Sequence, residues 1–164
     1  IMPMSKAMGA GTPIAAVQFK KELDTWPPGS HKGTYRWNCL TIAASVAALS
    51  FVKENRLWER AEKFGDYTMK KLHDLLDKSP IVGDIRGKGM LIGVEMVKNR
   101  KTKEPLKVIP DFNKRLLENG VTALFGGHFD NVVRVAPPLV IAQELLDKAL
   151  DILATTVKEF EKKV

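Results

Sequence analysis

Lys6 is the residue whose neighbours in the sequence best suit chemistry. It follows the apolar stretch Ile1–Met4 and precedes the turn Gly9-Ala10-Gly11. The apolar approach predicts that the lysine stem packs and that its amine is partly desolvated, which favours a nucleophilic amine. Glycine in the turn lets the backbone come close to a flat ligand. On these residues alone, a solvated lysine beside a turn is the commoner outcome.

Further groups along the chain suit the binding of anions. The segment His31–Tyr35 combines a cation, a turn-forming backbone and the hydroxyl of Thr34, which together suit phosphate. Arg86 and Arg134 each adjoin an apolar strand, where a guanidinium usually meets a carboxylate or a phosphate. Taken singly, a polar loop at 31–35 and structural ion pairs at the two arginines are the commoner explanations.

The sequence argues against a metal site and against several other classes of enzyme. His31, His73 and His128 lack the spacing of metal ligands, among themselves and with Cys39, so we predict no metal. The G-x-S-x-G, Walker and G-x-G-x-x-G motifs are absent. Cys39 is the one cysteine and excludes an internal disulfide; we expect a small buried hydrophobe at a helix start.

The composition argues against two kinds of partner. The 164 residues carry a formal net charge of +7, but lysine and arginine alternate with acidic residues and form no basic run interleaved with aromatics. We therefore expect a solvated basic surface and no nucleic-acid partner. No apolar run approaches the ~18 residues that a membrane span requires, and no signal peptide is visible. These features, with a single cysteine, predict no membrane partner and a cytoplasmic location.

Hydrophobic periodicity predicts the elements that position these residues. Helices are predicted at 40–55, 56–78, 109–119 and 142–162, and strands at 14–19, 90–97, 121–124 and 132–135, the first of them buried. We expect a turn-rich segment at 81–89, a surface connection at 98–107 and a loop at 126–131. This order predicts an α+β fold with helices against one face of a sheet.

The chain also divides by composition. Residues 1–38 are rich in glycine and proline and are typical of a loop-rich edge of another sheet. Residues 39–55 are predicted to be a connecting helix, and residues 56–164 to form the α+β domain.

Four stretches occur in a specific order, namely Ser5–Ile14, His31–Asn38, Gly83–Gly93 and Val133–Ile141. The patterns G-D-x-R-G-x-G in the third and R-x-A-P-P-L in the fourth are the most specific. The series resembles the carboxy-terminal part of class III pyridoxal-phosphate aminotransferases, the ornithine and 4-aminobutyrate aminotransferase group. The resemblance covers essentially the whole chain.

The resemblance implies a fold and a set of roles. This chain would be the small carboxy-terminal domain of a fold-type I enzyme, with helices on a small, mainly antiparallel sheet, plus an edge of the large domain. Lys6 would form the internal aldimine with pyridoxal 5'-phosphate and move a proton between substrate Cα and cofactor C4'. Thr34 would hydrogen-bond the cofactor phosphate across a dimer interface. Arg134 would hold the substrate α-carboxylate, and Arg86 would be mainly structural.

The implied reaction moves an amino group from an amino acid, such as 4-aminobutyrate or ornithine, to a 2-oxo acid, in a homodimer or larger oligomer. A racemase or epimerase of the same family and a folded chain without cofactor are the alternatives. Family chains are longer, and their preceding part supplies an aspartate for the pyridine nitrogen, so we expect the 164 residues alone to be inactive. Trp37 departs from the family pattern and leaves substrate choice open.

Overall fold

A computed structural model of the protein describes residues 1–34, 36, 38–107 and 109–162. The chain forms two compact units, Ile1–Arg56 and Leu57–Val164, and each is described by itself. The helix expected to connect two domains is grouped with the first unit.

The first unit contains a two-stranded antiparallel sheet. β1 (Met2–Met4) pairs with β2 (Ala16–Gln18), and a 3-10 turn over Lys6–Gly9 lies between them. A second 3-10 turn spans Lys21–Leu23. β2, with three residues, is shorter than the strand predicted at 14–19. The prediction that it is buried is wrong, because no second layer among the described residues covers this small sheet and Val17 is 56% exposed.

Helix α1 (Cys39–Glu54) completes the first unit. The side-chain oxygen of Asn38 caps it by accepting hydrogen bonds from two backbone N–H groups of its first turn. The buried face of α1 is formed by Thr41 and Ser45, four residues apart. Cys39 points away from that face and is exposed, so the prediction of a buried cysteine is wrong.

The second unit is built on an antiparallel sheet. Its strands are β3 (Val82–Lys88), β4 (Leu91–Asn99), β5 (Glu104–Pro105), β6 (Leu124–Gly126) and β7 (Val132–Val135). The order is β3-β4-β7-β6, and β5 also pairs with β4. Every pairing among the described residues is antiparallel. The predicted α+β class and the antiparallel sheet are confirmed.

β3 is the longest of the strands that the sequence analysis did not predict. Gly83, Asp84 and Gly87 are turn-forming residues, and they made the segment 81–89 resemble a loop. Pairing with β4 from Val82 to Lys88 overrides that local preference. β5 likewise lies within the expected surface connection, and β6 starts three residues later than expected.

Three helices cover one face of this sheet. They are α2 (Leu57–Leu76), α3 (Ile109–Glu118) and α4 (Gln143–Glu161), all within two residues of the predicted bounds. Gly120 has a φ of +81° just after α3, which agrees with the predicted helix end. The fully buried core joins the inner face of the sheet to the helices, and includes Leu72, Ile92, Val94, Phe112, Val133 and Leu150.

Two close contacts fix α2 within the second unit. A Cβ atom placed on Gly65 would lie 2.5 Å from the carbonyl oxygen of Gly89, in the turn between β3 and β4. Arg60 donates hydrogen bonds of 2.7 and 2.5 Å to the carbonyl oxygens of Leu139 and Ile141. The irregular segment that follows β7 is thereby tied to α2.

Candidate functional site

The backbone at Lys6 adopts an unusual conformation. Lys6 begins the 3-10 turn after β1 with a φ of +37°, in the left-handed region that favours glycine. The Ser5 hydroxyl donates a 2.8 Å hydrogen bond to the carbonyl of Ile14, and the carbonyl of Ser5 accepts one of 3.1 Å from the N–H of Met8. A non-glycine residue in this conformation costs about 1–3 kcal/mol of folding free energy. It persists only where the surrounding structure fixes it, which happens most often at functional sites.

The glycine turn after Lys6 is open at Gly11. Thr12 closes it by donating from both its N–H and its hydroxyl to the carbonyl of Gly9, at 2.9 and 2.6 Å. Gly11 has a φ of +95°, and a Cβ placed there would meet nothing within 4 Å. A cleft of about 680 Å³ lies along this loop. It is lined by Ser5, Lys6, Gly11, Thr12, Pro13 and Ile14, among others. A ligand in this cleft would lie against exposed backbone and the lysine.

The Lys6 side chain is exposed, so the prediction of a packed stem is wrong for the described residues. The apolar stretch before it is itself uncovered, with Ile1 85% and Met2 51% exposed, because among the described residues β1 pairs only with β2. The amine is accordingly accessible to a carbonyl compound.

Thr34 lies in an exposed turn of the same unit. Arg36 folds back over this turn: a guanidinium nitrogen donates to the carbonyl of His31, and a Cβ on Gly33 would lie 2.7 Å from its aliphatic carbons. Within the described part of the chain, the Thr34 hydroxyl forms no hydrogen bond. Tyr35 and Trp37 lie outside the described residues, and so does the expectation that Trp37 affects substrate choice.

Arg86 and Arg134 project from the outer face of the sheet in the second unit. In the cross-strand register Arg86 lies opposite Gly93, Gly93 lies opposite Arg134, and Arg134 lies opposite Leu124. The preceding row, which starts at Ile85, points into the core. The two arginines therefore flank a glycine on the face that no helix of this unit covers.

Arg86 is held by two carboxylates. Its Nη1 donates to Asp84 Oδ2 at 2.8 Å and to Glu95 Oε2 at 2.5 Å. These hydrogen bonds, first that of Asp84 and then that of Glu95, raise the pKa of the Arg86 guanidinium above its ordinary value. The arrangement supports a structural role for Arg86.

Arg134 differs from Arg86 in that no carboxylate in the described part of the chain holds it. It is exposed, and within the described ranges it forms no ion pair and no side-chain hydrogen bond. Beside it runs a groove of about 620 Å³, lined largely by apolar residues of β6, β7, the segment after β7 and α4. Its guanidinium is thus available to an anion from outside this unit.

The structure separates the predicted site residues between the two units. Lys6 and Thr34 belong to the first and Arg134 to the second. No group of three or more metal-ligating side chains occurs among the residues described, and no described helix has both the length and the apolar character for a membrane span.

Sequence reasoning missed Glu95. Its signal was a lone carboxylate at an outward position of an otherwise apolar strand.

Comparison with known proteins places the chain in a family. The family model described as aminotransferase class-III matches residues 1–157. This chain belongs to the class III aminotransferases. Leucine/methionine racemase of Thermococcus litoralis is 38% identical to it over 98% of this chain, and diaminobutyrate–2-oxoglutarate aminotransferase of Rhizobium meliloti is 33% identical over 99%. The chain spans 36% of the length of each of these relatives.

A solved structure agrees with the family assignment. The ornithine delta-aminotransferase of Plasmodium falciparum superposes with a TM-score of 0.84 at 32% identity, over 99% of this chain and 41% of that one. Both the family and the fold that the sequence motifs implied are thereby confirmed.

Proposed function

We propose that the protein carrying this chain is an aminotransferase that moves an amino group from an amino acid to a 2-oxo acid with pyridoxal 5'-phosphate as cofactor. The observation that carries the proposal is Lys6: an exposed amine on a left-handed backbone beside an open glycine turn, in a class III chain. The name of the Rhizobium relative pairs an amine donor with 2-oxoglutarate and supports the reaction class.

The side chains fit such a cofactor and substrate. Lys6, Thr34 and Arg134 are exposed, and within the described residues none of them is engaged by another side chain. An amine suits the cofactor aldehyde, a hydroxyl its phosphate, and a guanidinium the substrate carboxylate. Bound pyridoxal phosphate supplies an aldehyde that condenses with amines and a ring that accepts electrons.

Each residue then has one task in the proposed reaction. The Lys6 amine would bind the cofactor and, once the amino acid has displaced it, would move the proton from the substrate Cα to the cofactor C4'. Arg134 orients the substrate by its α-carboxylate, through two parallel hydrogen bonds. In a homodimer or larger oligomer, the Thr34 hydroxyl would hydrogen-bond the phosphate of the neighbouring subunit's cofactor.

The 164 residues alone are expected to be inactive. The aspartate that the family resemblance assigns to the pyridine nitrogen lies outside this chain, and without it the ring is a poor electron acceptor. A cytoplasmic location is proposed as well, since a chain with one cysteine suits a reducing compartment.

A racemase is the second candidate. It is favoured by the 38% identity with the leucine/methionine racemase of Thermococcus litoralis. Racemisation needs the proton at Cα to return to the opposite face, and Lys6 is one of the bases available for that step.

The first experiment tests Lys6 in the protein that carries this chain. We expect added pyridoxal phosphate to give a visible absorption band, and borohydride reduction to leave the cofactor on the Lys6 peptide in mass spectrometry. Lys6→Ala is expected to lose both signals. Lys21→Ala, which changes another exposed lysine of the same unit, is expected to keep them. Label on a different lysine would overturn the assignment.

The second experiment separates the two candidates. Amino acids such as 4-aminobutyrate, L-ornithine and L-leucine are incubated with and without 2-oxoglutarate. Formation of L-glutamate that depends on 2-oxoglutarate supports the aminotransferase. Conversion of L-leucine into its enantiomer without any oxo acid would show a racemase instead.

A further inference from the structure

Two cations stand close to Thr34 in the sequence, and the proposed function uses neither of them. They are Lys32, two residues before Thr34, and Arg36, two residues after it. The Lys32 side chain lies over Gly29, where an added Cβ would be 2.9 Å from Cε and 3.5 Å from Nζ. The amine of Lys32 therefore belongs to the turn that precedes the one at Thr34.

Arg36, in contrast, encloses the backbone that carries Thr34. Its N–H donates to the carbonyl of Gly33 at 3.4 Å, which closes a turn that contains Thr34. Its aliphatic carbons lie over Gly33, and its Nη1 donates to the carbonyl of His31. The guanidinium is thus held over the residues just before Thr34. Its remaining nitrogens are N–H donors that bind no group among the described residues.

The charge of Arg36 is not neutralised within the described part of the first unit. The acidic residues of this unit are Glu22, Asp24 and Glu54, and none of them forms an ion pair with Arg36. Asp24 lines the same cavity of about 1200 Å³ as Arg36 and still does not pair with it. A phosphate monoester carries about −1.5 to −2 charges at neutral pH, and a guanidinium binds it through parallel N–H donors. The Thr34 hydroxyl and an unpaired guanidinium together suit such a group.

We propose that Arg36 is a further cofactor-binding residue, whose guanidinium binds the cofactor phosphate beside the Thr34 hydroxyl. The inference rests on the proposed function, in which Thr34 hydrogen-bonds that phosphate. The sequence alone does not distinguish Arg36 from Lys32 as the cation for this group, whereas the positions of the two side chains favour Arg36. A guanidinium makes charge-assisted hydrogen bonds, which are about twice as strong as those of a neutral hydroxyl.

Cofactor titrations of the protein that carries this chain, prepared without cofactor, test the proposal. Pyridoxal phosphate is compared with pyridoxal, which has the same ring and aldehyde but no phosphate, and the Kd of each is read from its absorption band. Arg36→Gln is expected to raise the Kd of pyridoxal phosphate ~10-fold or more and that of pyridoxal less than about twofold. Arg36→Lys keeps the charge but loses the planar donor fork, so its Kd for pyridoxal phosphate should fall between those of Arg36→Gln and the wild type.

Two further variants remove one positive charge elsewhere in the first unit. Lys53→Gln changes an exposed lysine of α1 and is expected to leave both Kd values within about twofold of wild type. Lys32→Gln removes the charge that lies at Gly29 and is expected to raise the Kd of pyridoxal phosphate less than about threefold. Equal losses for Lys32→Gln and Arg36→Gln would indicate attraction by the charge of the whole segment and would overturn the assignment to Arg36.

The comparison with pyridoxal separates a phosphate contact from a structural role. If Arg36→Gln weakened the binding of pyridoxal and of pyridoxal phosphate equally, Arg36 would only support the turn, and the inference would be wrong. Unchanged Kd values for both compounds would also overturn it, while the proposed function would stand. A wild type that gives no absorption band with either compound would defeat the proposed function and the inference with it.

Discussion

At the scale of single residues, the carboxylate of Asp147 on α4 is shared by two donors from α2. The Tyr67 hydroxyl donates to its Oδ1 at 2.5 Å, and Lys71 Nζ lies 2.9 Å from the same oxygen. Lys71 also pairs with Asp151 at 3.0 Å. The hydrogen bond from Tyr67, followed by that from Lys71, lowers the pKa of Asp147 below its ordinary value.

This shift predicts a pH-dependent contribution of Asp147 to stability. Because the folded-state pKa lies below the unfolded value of about 3.9, the contribution is full above that value and is lost as the pH falls toward the folded pKa. Asp147→Asn is therefore expected to lower the urea midpoint at neutral pH, and the difference from wild type should shrink in acid. Urea denaturation across this range is the measurement.

The control for this prediction is Asp66→Asn. Asp66 is exposed on α2 and forms no ion pair and no side-chain hydrogen bond among the described residues, so its replacement should leave the midpoint unchanged at every pH. If the urea midpoint of Asp147→Asn stayed equally far below that of the wild type in acid, the charge of the carboxylate would not be the source of the lost stability.

Sequence reasoning located residues with a local signature but missed residues defined by a partner. Lys6, Thr34 and Arg134 stand in recognisable surroundings, so they could be proposed in advance, and their roles stay predictions. Glu95 and Asp147 are ordinary acids in the sequence. Their importance arises from strand register and helix packing, which bring residues 9 and 80 positions away into contact.

At the scale of elements, α2 and the β3–β4 turn approach each other through two glycines. The Cβ of an alanine at position 65 would lie 2.5 Å from the Gly89 carbonyl oxygen and 2.6 Å from its Cα. These are backbone atoms and cannot rotate aside. Gly65 therefore sets the distance between the helix and the hairpin.

Gly65→Ala is expected to destabilise the second unit. Alanine gains about 0.8–1.0 kcal/mol of helix propensity over glycine, but overpacking costs about 1–3 kcal/mol, and contact with backbone favours the upper end of that range. We expect a net loss of about 1–2 kcal/mol, measured by urea denaturation. Gly126→Ala, where a Cβ meets nothing within 4 Å, is the control and should change the free energy of unfolding by less than about 0.5 kcal/mol. A stabilised Gly65→Ala variant would contradict this account.

The helices were predictable and the sheet was only partly so. The apolar stripes of α2, α3 and α4 repeat at the helical period, and that signal is local. β3 contains glycine and aspartate that favour turns, and only its pairing with β4 makes it a strand. Strand order and register depend on contacts between distant residues, so neither could be derived from periodicity.

At the scale of the whole molecule, the buried apolar core belongs to the second unit. Every residue of the described core cluster, from Leu72 to Phe160, lies beyond Leu57. The first unit instead exposes large apolar side chains. Those on α1 include Leu40 at 82%, Val46 at 59% and Phe51 at 50% exposure. The two units thus differ in their capacity to fold unaided.

Residues 57–164 are expected to fold on their own, because their core needs no residue of the first unit. The measurement is cooperative unfolding of this fragment in urea, followed by circular dichroism. The 164-residue chain should bind a hydrophobic dye more strongly than the fragment, owing to the exposed face of α1. A fragment without a cooperative transition would show that its core depends on residues 1–56.

The cluster around Arg86 has a consequence unrelated to substrates. Among the described residues β3 has no strand beyond it, so its outer N–H and C=O groups form an open sheet edge. The register of β3 against β4 shifts between Val82 and Asp84, as it does at a β-bulge, and Asp84, Arg86 and Lys88 place alternating charges along the strand. Bulges and charges of this kind discourage a second sheet from adding to an edge. The charged side chains around Arg86 therefore also hinder the addition of a second sheet at this edge of the described unit.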